Sequence, residues 1–118
     1  MTAAEQMVGY WQGQLTRGRL LGIRDESGEL IAVCSFFVAA DMADAERIHR
    51  TKQWSTLTDT PEGTVLYIDW LVGQGFTREL LRAMDAAFAR KIPTWQTAIW
   101  YRPRQIGEKR YTYARRSV

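Results

Sequence analysis

Leu66-Tyr67-Ile68-Asp69-Trp70-Leu71-Val72-Gly73-Gln74-Gly75 is the stretch whose reading decides the fold. An apolar run carries a carboxylate in its middle and breaks into two glycines one residue apart. A helical pattern follows at once. Bulky apolar flanks mark a buried or half-buried strand. A carboxylate inside such a strand needs a partner or a task, because an unpaired buried charge is costly. Glycines let the backbone pass close to a neighbour, and the next helix offers its first N–H groups to an anion. Strand, glycine turn and helix start together can seat the phosphates of a cofactor.

The elements on either side follow from spacing. Ala4, Met7, Val8, Trp11 and Leu15 recur at the interval of one apolar helix face, which predicts a helix over residues 3–16 that stops at Gly18. Residues 19–24 and 29–38 read as two strands joined by the turn chemistry of Asp25-Glu26-Ser27-Gly28, hence a hairpin. Residues 39–52, rich in Ala, Asp, Glu and Arg, read as a helix, and residues 53–63 as a polar loop. The decisive strand is then 64–72. Thr77 caps a helix that runs to Lys91 and ends before Pro93, with Leu80, Leu81, Met84, Ala87 and Phe88 as its buried face. Residues 97–101 and 110–114 complete the pattern as strands. The order α-β-β-α-β-α-β-β combines a hairpin with a strand-helix-strand unit. It predicts an α/β (α+β) fold with a mixed central sheet flanked by helices, in a single domain over 1–118.

Composition narrows the function classes. The 118 residues include five Trp, five Tyr and four Phe, with hydrophobic content of 46%, as in a folded protein with one core. No run reaches the length of a membrane span, and the first residues lack the basic start and apolar centre of a signal peptide. With the lone cysteine Cys34, this gives a cytoplasmic expectation. One His and one Cys supply no familiar metal set, and no serine sits in an elbow motif. Net charge is +3, unevenly spread: residues 102–118 hold Arg102, Arg104, Lys109, Arg110, Arg115 and Arg116 against Glu108 alone. Such an end meets an anionic cofactor, an acidic protein or nucleic acid, or simply keeps the chain soluble.

The element order resembles the GNAT-type acyltransferases. In that fold the strand before the main helix splays from the strand after it, and the pantetheine arm of an acyl donor lies in the gap. A sharper resemblance is carried by Leu20-Leu21-Gly22-Ile23-Arg24-Asp25, by Ile31-Ala32-Val33-Cys34-Ser35-Phe36 and by Tyr67-Ile68-Asp69-Trp70-Leu71. These segments look like the RTX-toxin-activating lysine acyltransferases over roughly residues 19–102. Those GNAT-like enzymes move a fatty acyl chain from acyl carrier protein to a protoxin lysine, using a histidine and an aspartate. Asp69 matches the aspartate. The family histidine lies before the first strand, where residues 1–18 hold none, and its role is not carried to His49.

The resemblance implies acyl transfer from acyl carrier protein or acyl-CoA to a lysine of a protein substrate, with no tightly bound cofactor and no metal. Asp69 is then the catalytic residue. Leu71, Val72, Gly73, Gln74 and Gly75 line the donor site, and Arg102 and Arg104 face donor phosphates or an acidic carrier. The alternative is a non-catalytic GNAT-like binding protein, phage-encoded, that holds a host partner. Nucleic-acid binding through the C-terminal arginines with Tyr111 and Tyr113 is a weaker third class. Family precedent and abundant aromatics suggest a homodimer. His49, in a charged helical stretch, reads as a solvated surface residue, Cys34 as a small core side chain, and Trp70 and Trp100 as core or gap lining.

Overall fold

The chain forms α1 (Ala3–Thr16), β1 (Leu20–Arg24), β2 (Leu30–Ala39), α2 (Met42–Thr51), β3 (Val65–Gly73), α3 (Arg78–Lys91), β4 (Thr97–Pro103) and β5 (Glu108–Ala114). The computed structural model describes residues 2–51, 59–73 and 77–116. The expected element order is therefore present, in an α+β fold with a five-stranded mixed sheet. Most of the polar loop expected from Gln53 lies outside the described residues.

The sheet runs β1-β2-β3-β4-β5. Every neighbouring pair is antiparallel except β3 and β4, which are parallel, as the α3 crossover requires. The β1–β2 hairpin closes on Asp25, whose Oδ1 accepts from the backbone N–H of Ser27 and of Glu29 at 2.9 and 3.0 Å. Gly28 follows at φ 85°, a left-handed position suited to glycine. Thr77 caps α3 by accepting from the Leu80 N–H at 3.1 Å.

Strand alternation places a core on each side of the sheet. On one side Leu80, Met84 and Phe88 of α3 bury against Ile23, Cys34, Phe36, Val38, Leu66, Ile68, Ala98 and Trp100. Phe36 and Phe88 meet edge to face at 4.9 Å. On the other side Ala45 and Ile48 of α2 cover Phe37, Val65, Tyr67 and Ile99. Arg19 and Asp59 lock the base of the sheet with an ion pair at 2.5 Å, while Asp59 Oδ1 accepts from the Val38 N–H at 2.6 Å. No helix among the described residues is long and apolar enough to cross a membrane.

One helix is turned away from its expected orientation. Met7, Val8 and Leu15, expected to face the core, are 51, 54 and 67% exposed. The buried residue of α1 is Gln14, with Tyr10 half-buried beside it. Apolar periodicity misplaces α1 because the patch of sheet beneath it is polar.

The burial of α3 yields a direct test. Met84 is 1% exposed, so Met84→Asp puts a charge into the core. It should lower stability by about 3–5 kcal/mol in urea unfolding. An unchanged midpoint would remove this helix face from the core.

Candidate functional site

The polar patch beneath α1 originates in β3. Ser35 of β2 pairs with Trp70 and the next residue, Phe36, pairs with Ile68. Asp69 is the extra residue, a β-bulge. Before the bulge Leu66 and Ile68 point to the α3 side and Val65 and Tyr67 to the α2 side. After it the alternation is reset. Leu71 joins the α3 side, and Trp70 turns to α1, packing edge to face on Trp11 at 6.1 Å. Trp70 is 47% exposed, at variance with a core reading, whereas Trp100 is buried as expected.

Asp69 therefore points at α1. The Tyr10 hydroxyl donates to Asp69 Oδ2 and lies 2.9 Å from Ser35 Oγ. Gln14 Nε2 donates to Ser35 Oγ at 2.8 Å and to the Phe36 carbonyl, beside the bulge, at 3.1 Å. Asp69 Oδ1 is buried with no hydrogen-bond partner among the described residues. Burial raises the Asp69 carboxyl above the ordinary carboxylate range, against the lowering pull of the Tyr10 and Ser35 hydroxyls and the Arg17 charge. The Tyr10 phenol is pushed up, by burial first and then by Asp69. Cys34 is fully buried, and burial raises its thiol far out of the nucleophilic range.

The bulge sits where the sheet opens. β3 and β4 are paired only from Val65–Thr97 to Tyr67–Ile99. Beyond that point β3 stays with β2 as far as Gly73, and β4 stays with β5 as far as Pro103. A gap opens between the Ile68–Gly73 side and the Trp100–Pro103 side, and Asp69 stands near its root.

The other expected site residues distribute around this gap. Leu71, Val72 and Gly73 form the β3 edge, with Val72 52% exposed. Gln74 and Gly75 lie outside the described residues. Gly73 has φ 128°, and a Cβ there would meet the Ile31 carbonyl oxygen at 2.4 Å and Ala32 Cα at 2.8 Å. The close approach that requires this glycine is to strand β2 itself. Arg102 lies on the β4 side. It pairs with Lys109 across the hairpin, and both cations lie over the Tyr111 ring, at 6.0 and 5.1 Å from its centroid. Arg104 donates to the Tyr111 hydroxyl at 3.4 Å, and Tyr111 stacks on Trp100. This basic cluster occupies the α3 side of the sheet, and Asp69 the opposite side. The remaining cations do not join it: Arg110 pairs with Glu46, and Arg115 donates to the Pro93 carbonyl at 2.8 Å.

Sequence reasoning missed His49. Its side chain is 13% exposed, not solvated, and its ring stacks on Tyr101 at 3.6 Å and 3°. Nδ1 lies 2.8 Å from the Tyr67 hydroxyl and Nε2 2.7 Å from Glu108 Oε2. The Tyr67 phenol is raised by burial and then by the charge of Asp69, two residues along the strand. Among the described residues no group of three or more His, Cys, Asp or Glu side chains could hold a metal ion.

The contacts of Gly73 set an expected outcome. Gly73→Ala should lower stability by about 1–3 kcal/mol with no ligand present, because the left-handed backbone and the β2 contact both oppose a Cβ. Urea unfolding checks this, and unchanged stability would return the glycine to a ligand-binding role. Neither family models, curated proteins nor solved structures give a match to this chain.

Proposed function

We propose that the protein is a GNAT-like acyltransferase that moves an acyl group from acyl carrier protein or acyl-CoA to a lysine of a protein substrate. The observation that carries this reading is the bulge at Asp69, which aims a buried carboxylate beside the gap where β3 and β4 part. An amine entering that gap finds Asp69 Oδ1 without a partner among the described residues. A carboxyl raised by burial is a better proton acceptor than an ordinary one. In the reaction the lysine nitrogen attacks the thioester carbonyl, Asp69 takes or steers its proton, and the thiol of the donor leaves. Backbone N–H groups of the β3 edge from Leu71 to Gly73 are the candidates to polarise the thioester oxygen. The Arg102, Arg104 and Lys109 cluster around Tyr111 suits the phosphates of a pantetheine donor or the acidic face of a carrier protein.

The second reading, a binding protein without catalysis, is favoured by the way Tyr10 and Ser35 already hold Asp69. In that case the carboxylate serves to dock α1 on the sheet.

Asp69→Asn separates the two. Because burial raises the Asp69 carboxyl, the protonated form favours the fold. The stability it contributes is present below its unfolded value and is lost as pH rises through the raised folded one. Above that raised value the ionised group is therefore a burden, and there Asp69→Asn should melt at the same or a higher temperature. That difference should shrink as pH falls into the acid range. Acyl transfer by the same variant should drop about 10²–10⁴-fold. A lower melting temperature with transfer unchanged would make Asp69 a docking residue only.

A further inference from the structure

Resting on that reading, we infer that Glu108, His49 and Tyr67 form a proton relay between the gap and solvent. His49 comes from α2, Tyr67 from β3 and Glu108 from the first residue of β5. Three elements far apart in sequence thus meet in one hydrogen-bonded line. In the relay, Nε2 of a neutral imidazole donates to an ionised Glu108, which can only accept. Nδ1 is then bare and accepts from the Tyr67 O–H at 2.8 Å. The stack on Tyr101 fixes the plane of the ring. The line runs from Tyr67, 3% exposed, to the Glu108 side chain, 50% exposed.

The residue at its inner end stands on the strand where the gap begins, with its phenol turned to the α2 side. Tyr67 is the last β3 residue paired with β4, and Asp69 follows two residues later. With its hydrogen given to His49, the Tyr67 oxygen offers lone pairs to a donor in the gap. During transfer the amine proton passes to the Tyr67 oxygen as the Tyr67 proton passes to His49 Nδ1. The N–C bond forms and the C–S bond breaks. The imidazolium, facing Glu108, then returns its proton by way of Tyr67 to the departing thiolate, so the protein ends in its starting state. Asp69 steers the amine, and the relay takes the proton.

The other charged or titratable groups of the surrounding elements are Asp44, Glu46, Arg47 and Arg50 on α2, Asp69 on β3, Tyr101 and Arg102 on β4, and Lys109, Arg110, Tyr111 and Tyr113 on β5. Arg47 is bound to Asp44, and Arg110 to Glu46.

A strap that merely ties α2 to the sheet would use the same hydrogen bonds, so the deciding variant must keep bonding and remove proton transfer. His49→Gln offers an acceptor and a donor but no titrating group. It should keep its melting temperature within about 2 °C, lose about 10²-fold or more in transfer rate, and flatten the neutral limb of the pH–rate profile. His49→Gly should regain activity when free imidazole is added. Tyr67→Phe should reproduce the loss, and imidazole should not rescue it. Retention of the wild-type rate and pH profile by His49→Gln would overturn the relay. If the wild type transfers nothing from acyl carrier protein or acyl-CoA, the acyl-transfer reading fails by itself. His49 is the sole histidine, so its ring nitrogens give unambiguous ¹⁵N signals that then decide the relay. A neutral ring with bare Nδ1, whose signal moves in Tyr67→Phe, shows the orientation that the relay needs, and a hydrogen on Nδ1 overturns it.

Discussion

Placing the Asp69 carboxylate inside the sheet opposes folding, since a carboxylate loses its hydration there and its bare form is strongly disfavoured. Three side chains from two elements reduce that cost. Tyr10 of α1 donates to one carboxylate oxygen, Ser35 of β2 adds its hydroxyl, and Gln14 fixes Ser35 in turn. The position of α1 follows from this arrangement. The helix meets the sheet through Tyr10, Trp11 and Gln14, not through Met7, Val8 and Leu15. With an aliphatic residue in place of Asp69, Tyr10 would lose its carboxylate acceptor, while Gln14 would keep Ser35 and the Phe36 carbonyl.

The bulge that aims Asp69 also helps to open the sheet. Bulges bend a strand and increase its twist. Past Asp69, β3 follows β2, and β4 follows β5 into its own hairpin. The parallel pairing that α3 makes possible stops after three residue pairs. One local irregularity is thus associated with two features of the candidate site: the direction of the carboxylate and the space beside it.

Much of this was legible in the chain. The hairpin, the cap at Thr77, the α3 face of Leu80, Met84 and Phe88, and the strand around Asp69 all follow from local pattern, because turn chemistry and burial period act over a few residues. Three features were not. The bulge is a register event between two strands, and no spacing within one strand reveals it. The α1 face was misread because periodicity assumes an apolar partner surface. Tyr10 and Gln14, at i and i+4, and Ser35 in an apolar strand were the available signals. His49 was misread because its partners Tyr67 and Glu108 lie 18 and 59 residues away. A charged helix looks solvated until its neighbours in space are known.

The two faces of the sheet differ in chemistry, and the gap joins them. The α1–α2 face carries Asp69, Tyr67 and His49, groups that hold or move protons. The α3 face carries Arg102, Lys109 and Tyr111, groups that hold anions and stack on planar surfaces. A single binding module needs only one such surface. The proposed transfer uses both surfaces, with an anionic donor on one side and an amine on the other. In the proposed direct transfer the two must meet in the plane of the sheet, where the Ile68–Gly73 and Trp100–Pro103 segments of β3 and β4 are not paired with each other.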